Sequence, residues 1–504
     1  MRFGRPRLGA LDTLVRQGQA FAMIDLRPVA HVIGLLVAAL GATMAIPMVI
    51  DIVYRNGHWP VFLQAGTITF LTGGLAAIAT SNVNSSRLTI QQTFLLTTAV
   101  WVILPIFGAI PFVLGSFEAS ATDALFEAVS GLTTTGSTVF AGLDSQPEGI
   151  LLWRSMLQWF GGIGIIVVAM VFLPELRIGG MQIFRSEAFD TMGKILPRAA
   201  EIASQISWIY VALTFTCFLG YIALDMSTFD AANHALTTLS TGGFSTTDQS
   251  FGAFQGGPEY LSSIFMMLAS LPFVRYIQLL AGTAQPIFRD SQVRAYLLVI
   301  FVASLVLAAF QMAADERAFE ESFREAIFNV TSIISGTGYA SVDYQLWGTF
   351  AMVVFFFLGL IGGCAGSTCC SVKIFRYQIL FSAVNVQIRR IHSPHGVFLP
   401  RFGDRQVTED VLSSVMAFFV IFVVSLGVLS VLLGMTGLDF VTALSGAATS
   451  IGNIGPGLGP VIGPAGYFGS LNDVAKWLLI AGMIVGRLEL MAVYVIFTVA
   501  FWRS

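Results

Sequence analysis

The sequence predicts an all-α polytopic membrane protein: two leading transmembrane helices, then four repeats of helix, pore helix, loop and helix around a pseudo-fourfold pore. Three observations predict it. Hydrophobic residues make up 55% of the 504 residues and charged residues only 11%, against roughly 25% charged in a soluble domain. Ten apolar stretches approach the about 20 residues that a helix needs to cross a bilayer. Four hydroxyl- and glycine-rich loops recur, each after a short apolar segment and before a long one. They read Ser130-Gly-Leu-Thr-Thr-Thr-Gly-Ser-Thr138, Thr237-Thr-Leu-Ser-Thr-Gly-Gly-Phe-Ser-Thr246, Ser332-Ile-Ile-Ser-Gly-Thr-Gly-Tyr-Ala-Ser341 and Ser450-Ile-Gly-Asn-Ile-Gly-Pro-Gly457.

The apolar stretches fall at about 30–53, 61–81, 92–115, 150–173, 206–225, 258–285, 293–314, 349–384, 408–434 and 474–503. Segments near 121–133, 230–240, 321–334 and 438–450 are too short to span, and each ends at one of the glycine loops. The expected organisation is a cytoplasmic N-terminus (1–29), two leading helices (30–85), and pore repeats at 86–175, 200–290, 291–390 and 405–504. Non-helical backbone at membrane depth is tolerated only where protein buries it or water lines it. Four such breaks at matching places therefore predict one shared pathway.

Charge orients the chain. Arg2, Arg5, Arg7, Arg16 and Arg27 precede the first helix, and Arg87, Arg177, Arg185, Lys194, Arg198, Arg289, Arg294, Arg389, Arg390, Arg401, Arg405 and Arg503 fall on the same side. The other side carries few bases: Arg55, Arg154, Arg317, Arg324 and Lys476. The positive-inside rule puts both termini in the cytoplasm. No early apolar core with a small-residue cleavage site marks a signal peptide. The half-helices then enter from an acidic outer face bearing Glu118, Asp123, Glu127, Asp144, Glu148, Asp225, Asp230, Asp248, Glu320, Glu321, Glu325, Asp343 and Asp439. Two readings stand for these acids: a funnel that concentrates cations, or ordinary loop and helix-capping residues, Asp123, Asp230 and Asp439 above all. A half-helix descending from outside aims the negative end of its dipole at the pore centre, which favours a cation. The loops hold no charge, and cages of carbonyl and hydroxyl oxygens suit a monovalent ion, since divalent ions usually take carboxylates. Net charge is −3, which gives no sign of nucleic-acid binding. The four cysteines, Cys217, Cys364, Cys369 and Cys370, sit in apolar segments as small hydrophobes.

These signatures together resemble the Trk-type potassium uptake subunit, in the TrkH/TrkG branch of the TrkH/Ktr/HKT superfamily. The resemblance rests on Leu132-Thr-Thr-Thr-Gly-Ser-Thr138, the run Asn233–Thr246, Gly336-Thr-Gly-Tyr339, Gly452-Asn-Ile-Gly-Pro-Gly457 and Gly486-Arg-Leu-Glu-Leu490, in that order along nearly the whole chain. It implies one filter glycine per loop: Gly136, Gly243, Gly338 and Gly455. It implies coordinating carbonyls on Thr134, Thr135, Thr241, Gly242, Gly336, Thr337, Asn453 and Ile454, with potassium as the substrate held there and no covalent cofactor. No loop has the full Thr-Val-Gly-Tyr-Gly of a tetrameric potassium channel, so a shorter filter with looser discrimination is expected. A homodimer in membrane lipid is implied, each subunit with its own pore, docked on a cytosolic TrkA-type nucleotide-binding ring in the inner membrane.

Two features lie beyond the loops. The stretch 349–384 is too long for one span and is interrupted by Gly359 and then Gly362-Gly-Cys-Ala-Gly-Ser-Thr-Cys-Cys-Ser371, with Lys373 just after. A small-residue helix-packing patch is one reading. The resemblance implies a gating intramembrane loop, with Gly362, Gly363, Gly366, Ser367, Thr368 and Lys373 in it; relatives usually carry glycines where this chain has Cys369-Cys370. Arg487 sits well inside the last apolar stretch, where a charge normally faces a cavity or a partner. The resemblance makes it a barrier acting with that loop. Glu489, two residues on, faces elsewhere on a helix, and Arg275 reads as structural. His392 and His395 fit a solvated basic loop, and His234 a hydrogen-bonded support. No phosphate-binding loop, metalloprotease or nucleophile-elbow motif is visible, so energy must come from the membrane potential, a coupled ion or another subunit. The expected function is potassium uptake through a gated pore, with potassium/proton or potassium/sodium symport as the alternative. An intramembrane enzyme lacks a nucleophile–base pair.

Overall fold

The computed structural model describes residues 24–82, 88–117, 119–168, 180–181, 199–283, 285–403 and 405–503. Glu118 and the basic residues Arg2, Arg5, Arg7, Arg16, Arg87, Arg177, Arg185, Lys194 and Arg198 lie outside the described residues.

The chain starts with a close helical pair. α1 (Arg27–Thr43) and α2 (Ala45–Tyr54) form one kinked span. Pro47 lacks the N–H that would bond the Thr43 carbonyl, which places the kink. α3 (Trp59–Ala79) runs back along α1. Their backbones touch where Gly34 meets Gly73 and Ala77, and Gly41 meets Gly66 and Phe70. Glycines seven apart on each helix leave no side chain in the seam, and the gain is dispersion between backbones in a lipid solvent.

Next come α4 (Ile90–Gly108) and α5 (Ile110–Leu114), the short α6 (Ala121–Leu132) and α7 (Glu148–Val167). Thr89 and Gln92 open α4 as a reciprocal capping box. α8 (Ala199–Ala223) precedes the short α9 (Thr228–Leu239), α10 (Gly257–Ala269), α11 (Phe273–Leu280) and α12 (Gln285–Arg289). α13 (Ser291–Asp315) leads to α14 (Phe319–Ser335), α15 (Thr349–Gly359) and α16 (Ile374–His392). α17 (Glu409–Met435), α18 (Phe440–Gly452), α19 (Asp473–Arg487), α20 (Met491–Ile496) and α21 (Val499–Arg503) complete the order. Three of the four short helices start on side-chain caps: Ser120 accepts from the Asp123 N–H, Ser227 from the Asp230 N–H, and Asp439 from the Val441 and Thr442 N–H groups, while α14 starts from Ala318, which offers none.

Seven of the described helices are long and apolar enough to cross a membrane. Three of the ten predicted spans are broken instead. The stretch 258–285 bends by 89° between α10 and α11, at Ser270-Leu271-Pro272, where proline cannot continue the ladder. The stretch 349–384 stops at Gly359 and resumes at Ile374, as its glycines predict. Its two ends are held by a parallel pair, β1 (Ile361–Gly362) with β2 (Val372–Lys373). The stretch 474–503 ends its helix at Arg487, because Glu489 and Leu490 take φ of 60° and 48°. Arg487 is therefore a helix C-terminal residue and not one well inside a long helix.

Candidate ion pathway

Each short helix, α6, α9, α14 and α18, ends in the same way. A residue at the cap or just past it has a left-handed backbone: Thr134 (φ 53°), Thr241 (52°), Gly336 (74°) and Asn453 (49°). Its N–H bonds three residues back, Thr134 to Gly131, Thr241 to Thr238, Gly336 to Ile333 and Asn453 to Ser450, at 2.9–3.3 Å. The following N–H bonds five residues back, Thr135 to Ser130, Gly242 to Thr237, Thr337 to Ser332 and Ile454 to Thr449, at 2.8–3.0 Å. That pair of bonds is the Schellman motif. Glycine normally takes the left-handed position; here three of the four are Thr, Thr and Asn, a strain of roughly 1–2 kcal/mol each that the surroundings must hold.

Two residues further, Gly136, Gly243, Gly338 and Gly455 are left-handed again, with φ of 84°, 78°, 80° and 113°. Their packing closes a ring. A Cβ on Gly136 would run into the carbonyl oxygen of Gly242, one on Gly243 into that of Thr337, and one on Gly338 into that of Ile454. One on Gly455 would press on the carbonyl oxygen of Thr135 at 3.0 Å. The carbonyl just before each glycine thus lies against the glycine of a neighbouring loop, in cyclic order. All four glycines line one vestibule of about 270 Å³.

Four different joints hold this ring. Between the first and second loops, Gln158 on α7 donates to the Gly242 carbonyl (2.6 Å) and accepts from the Phe244 N–H (3.0 Å). Between the second and third, the Tyr339 hydroxyl meets Thr237 Oγ1 at 2.5 Å and Thr238 Oγ1 at 3.3 Å. Between the third and fourth, Gln345 accepts from the Gly459 N–H at 2.6 Å. Between the fourth and first, Asn453 Nδ2 donates to Thr135 Oγ1 (2.9 Å) and Ser137 Oγ to the Gly455 carbonyl (2.7 Å). His234 supports the second loop by bonding Ser245 Oγ (3.0 Å) and the Asp230 carbonyl (2.8 Å).

The predicted intramembrane loop docks on the bend between α10 and α11. The Cys364 N–H donates to the Ser270 carbonyl (3.1 Å), Thr368 Oγ1 to the Ala269 carbonyl (3.0 Å) and the Phe273 N–H to the Gly366 carbonyl (3.0 Å). Two broken helices thus satisfy each other's free backbone groups, as the hydrocarbon core requires. Inside the loop, Ser367 Oγ caps the Cys364 carbonyl (2.7 Å), the Ile374 N–H bonds Gly363, and Lys373 donates to the Cys369 carbonyl. The close fit of Gly362 against the Cys370 carbonyl and of Gly363 against the Cys369 thiol leaves no room for side chains there.

Cys370 brings this loop to the ring. Its thiol lies 3.9 Å from Thr134 Oγ1, on the face opposite the vestibule. Arg487 meets the same thiol and also donates to the Thr368 (3.4 Å) and Gly161 (3.1 Å) carbonyls. It is 3% exposed, its Nε has no hydrogen-bond partner among the described residues, and its guanidinium lies 5.5 Å from the Trp101 ring. Arg487, Ser367, Lys373 and Cys370 line one small cavity of about 30 Å³. The structure therefore brings Arg487 and the loop together.

Asp123 and Asp230 lie in the first turns of α6 and α9, as expected, but several charged residues have partners that sequence reasoning did not find. Glu127 and Arg154, read as outer-face charges, are buried and paired at 2.8 Å. Asp123 bonds Lys476 at 2.6 Å, Asp230 accepts from Thr246 at 2.6 Å, and Asp248 accepts from the Gly142 and Leu143 N–H groups. Glu489 pairs with the fully buried Arg376, which the sequence reading passed over. Arg275 pairs with Asp290. A charge inside an apolar stretch signals a hidden partner, and Arg154 in 150–173 carried that signal.

Three comparisons set this geometry beside known proteins. The family model TrkH, described as a cation transport protein, matches residues 58–503. The chain is 42% identical over 479 residues to the Trk system potassium uptake protein TrkI of Halomonas elongata, covering 95% of this chain and 97% of that one. It is 36% identical to the Trk system potassium uptake protein TrkH of Escherichia coli K12, covering 95% and 99%. Among solved structures, the crystal structure of the potassium transporter TrkH from Vibrio parahaemolyticus superposes with a TM-score of 0.88 at 32% identity, covering 95% of this chain and 100% of that one.

Proposed function

This chain belongs to the TrkH family of cation transport proteins, and from that premise we propose that it carries potassium inward through the glycine ring, gated below by Arg487 and the intramembrane loop. It is a multi-pass membrane protein and not an enzyme. The observation that carries the reading is the closed ring of carbonyls before Gly136, Gly243, Gly338 and Gly455. Uncharged oxygens at fixed spacing replace the hydration shell of a monovalent cation. The negative ends of four helix dipoles converge behind them. Potassium is the ion that the relatives are named for.

Arg487 is the barrier in this reading. A guanidinium without a carboxylate partner among the described residues repels a cation leaving the ring, and moving the loop with its Cys370 and Thr368 contacts would withdraw it. Symport with protons needs a titrating group on the path. The candidate, Glu489, is engaged by Arg376, which favours a passive pore driven by the membrane potential. The inner membrane, cytoplasmic termini, a homodimer and docking of a TrkA-type nucleotide-binding ring on the basic side complete the proposal.

Potassium flux into proteoliposomes under an imposed potential tests it, with wild type beside Arg487→Ala. Faster flux in the variant, with no proton or sodium gradient, is the expected result. Flux in wild type that vanishes without such a gradient would replace the pore by a symporter. No flux in either, with both proteins folded, would sink the reading for the isolated chain.

A further inference from the structure

The joint between the first and second loops holds a buried charge pair as well as neutral groups. Glu127 on α6 and Arg154 on α7 are 0% and 1% exposed. Arg154 Nε donates to Glu127 Oε1 at 2.8 Å, Nη1 to the Ser245 carbonyl at 2.9 Å and Nη2 to Thr138 Oγ1 at 3.2 Å. Glu127 in turn accepts from Thr138 Oγ1 (2.9 Å) and from the Val139 N–H (2.9 Å). The guanidinium lies 4.3 Å from the centre of the Phe244 ring. One pair thus grips the strand leaving the first glycine and the strand leaving the second, two residues beyond Gly136 and Gly243.

We infer that Arg154 and Glu127 are positioning residues that set the discrimination between potassium and sodium. They do so by fixing the spacing of the first and second loops, where Gly136 packs on the Gly242 carbonyl. The inference rests on reading the ring as an ion filter. Selectivity among monovalent cations depends on how closely carbonyls keep their spacing and field. A neutral joint, such as Gln345 with Gly459 or Asn453 with Thr135, bends at modest cost. A buried ion pair with its hydrogen bonds made does not, because separating it strands a charge away from water. Arg154 also lines the vestibule, but in this role neither residue supplies a coordinating oxygen to the ion. They act through the carbonyls of neighbouring residues.

The test is the potassium-to-sodium permeability ratio in proteoliposomes holding the full chain, for wild type, Glu127→Gln, Arg154→Gln and the double variant. The ratio should fall roughly tenfold in each, the scale of one lost charge-assisted hydrogen bond, with potassium flux retained. Asp439→Asn, which keeps the cap at the far end of α18, should leave the ratio near wild type. A wild-type ratio in folded Glu127→Gln and Arg154→Gln protein overturns the inference. If the charge variants do not insert, Thr138→Val removes only the hydroxyl shared by both side chains, and an unchanged ratio there overturns it equally. A wild-type protein without potassium preference would instead bring down the filter reading itself. The two failures are therefore distinct.

Discussion

The glycine ring and the cavity beneath it lie a few ångströms apart and are built on opposite plans. The ring has four contributors, one backbone motif repeated four times, and no charged side chain among its coordinating positions. The cavity has one loop, one arginine, two thiols, a lysine and a carboxylate, from two unrelated stretches of chain. For the proposed filter, discrimination by dipoles needs equal distances on all sides, and repetition supplies them. For the proposed barrier, one element that can move is enough, so a single loop and a single charge suffice, with no symmetry to preserve. The ring's four joints are held by hydrogen bonds, with Asn453 Oδ1 left without a partner among the described residues. Arg487 Nε likewise has no hydrogen-bond partner among the described residues, a group with something to gain in another arrangement.

The largest test of this contrast is Gly243→Ala. The new Cβ meets the Thr337 carbonyl at a backbone φ of 78°, so left-handed strain of about 1–2 kcal/mol adds to a clash that shifts the third loop. Potassium flux should be lost while the protein still inserts. Retained, selective flux would show that the ring tolerates unequal distances. Glu489→Gln tests the lower region. Arg376 is fully buried and sits 3.8 Å from the centre of the Phe418 ring, so losing the Glu489 carboxylate weakens the compensation of a buried charge, at a cost of up to about 3–5 kcal/mol. Thermal unfolding should fall and basal flux rise together, with the potassium-to-sodium ratio unchanged. A changed ratio would show that ring and cavity are one mechanical unit. The smallest effect is expected at Asp439. Alanine removes the cap of α18, worth about 1 kcal/mol, while asparagine keeps it. Equal melting temperatures for the two variants would mean that packing alone holds this helix.

Much of the ring was legible. Thr134 to Gly136, Thr241 to Gly243, Gly336 to Gly338 and Asn453 to Gly455 stand in loops whose composition repeats, and the structure brings all four together. Arg487 was legible because a lone charge in an apolar stretch is costly. Other parts were not. Arg154 and Glu127 looked like loop charges because their pairing spans 27 residues and two helices. Arg376 and Glu489 are 113 residues apart, beyond any local spacing rule. The breaks after Ala269 and Arg487 were hidden because hydropathy stays high across them, and average hydropathy does not register φ.

By itself, the sequence determined that this chain lives in a bilayer, how many apolar segments it carries, and that four matching loops interrupt them. Those follow from composition and local periodicity, since transfer free energy and the left-handed tolerance of glycine act residue by residue. The tertiary structure alone decided which carbonyl lies against which glycine, which charges pair, and where Arg487 ends its helix. Those depend mostly on distances between segments tens to hundreds of residues apart. In a medium without water, each buried polar group takes the partner that packing puts within reach.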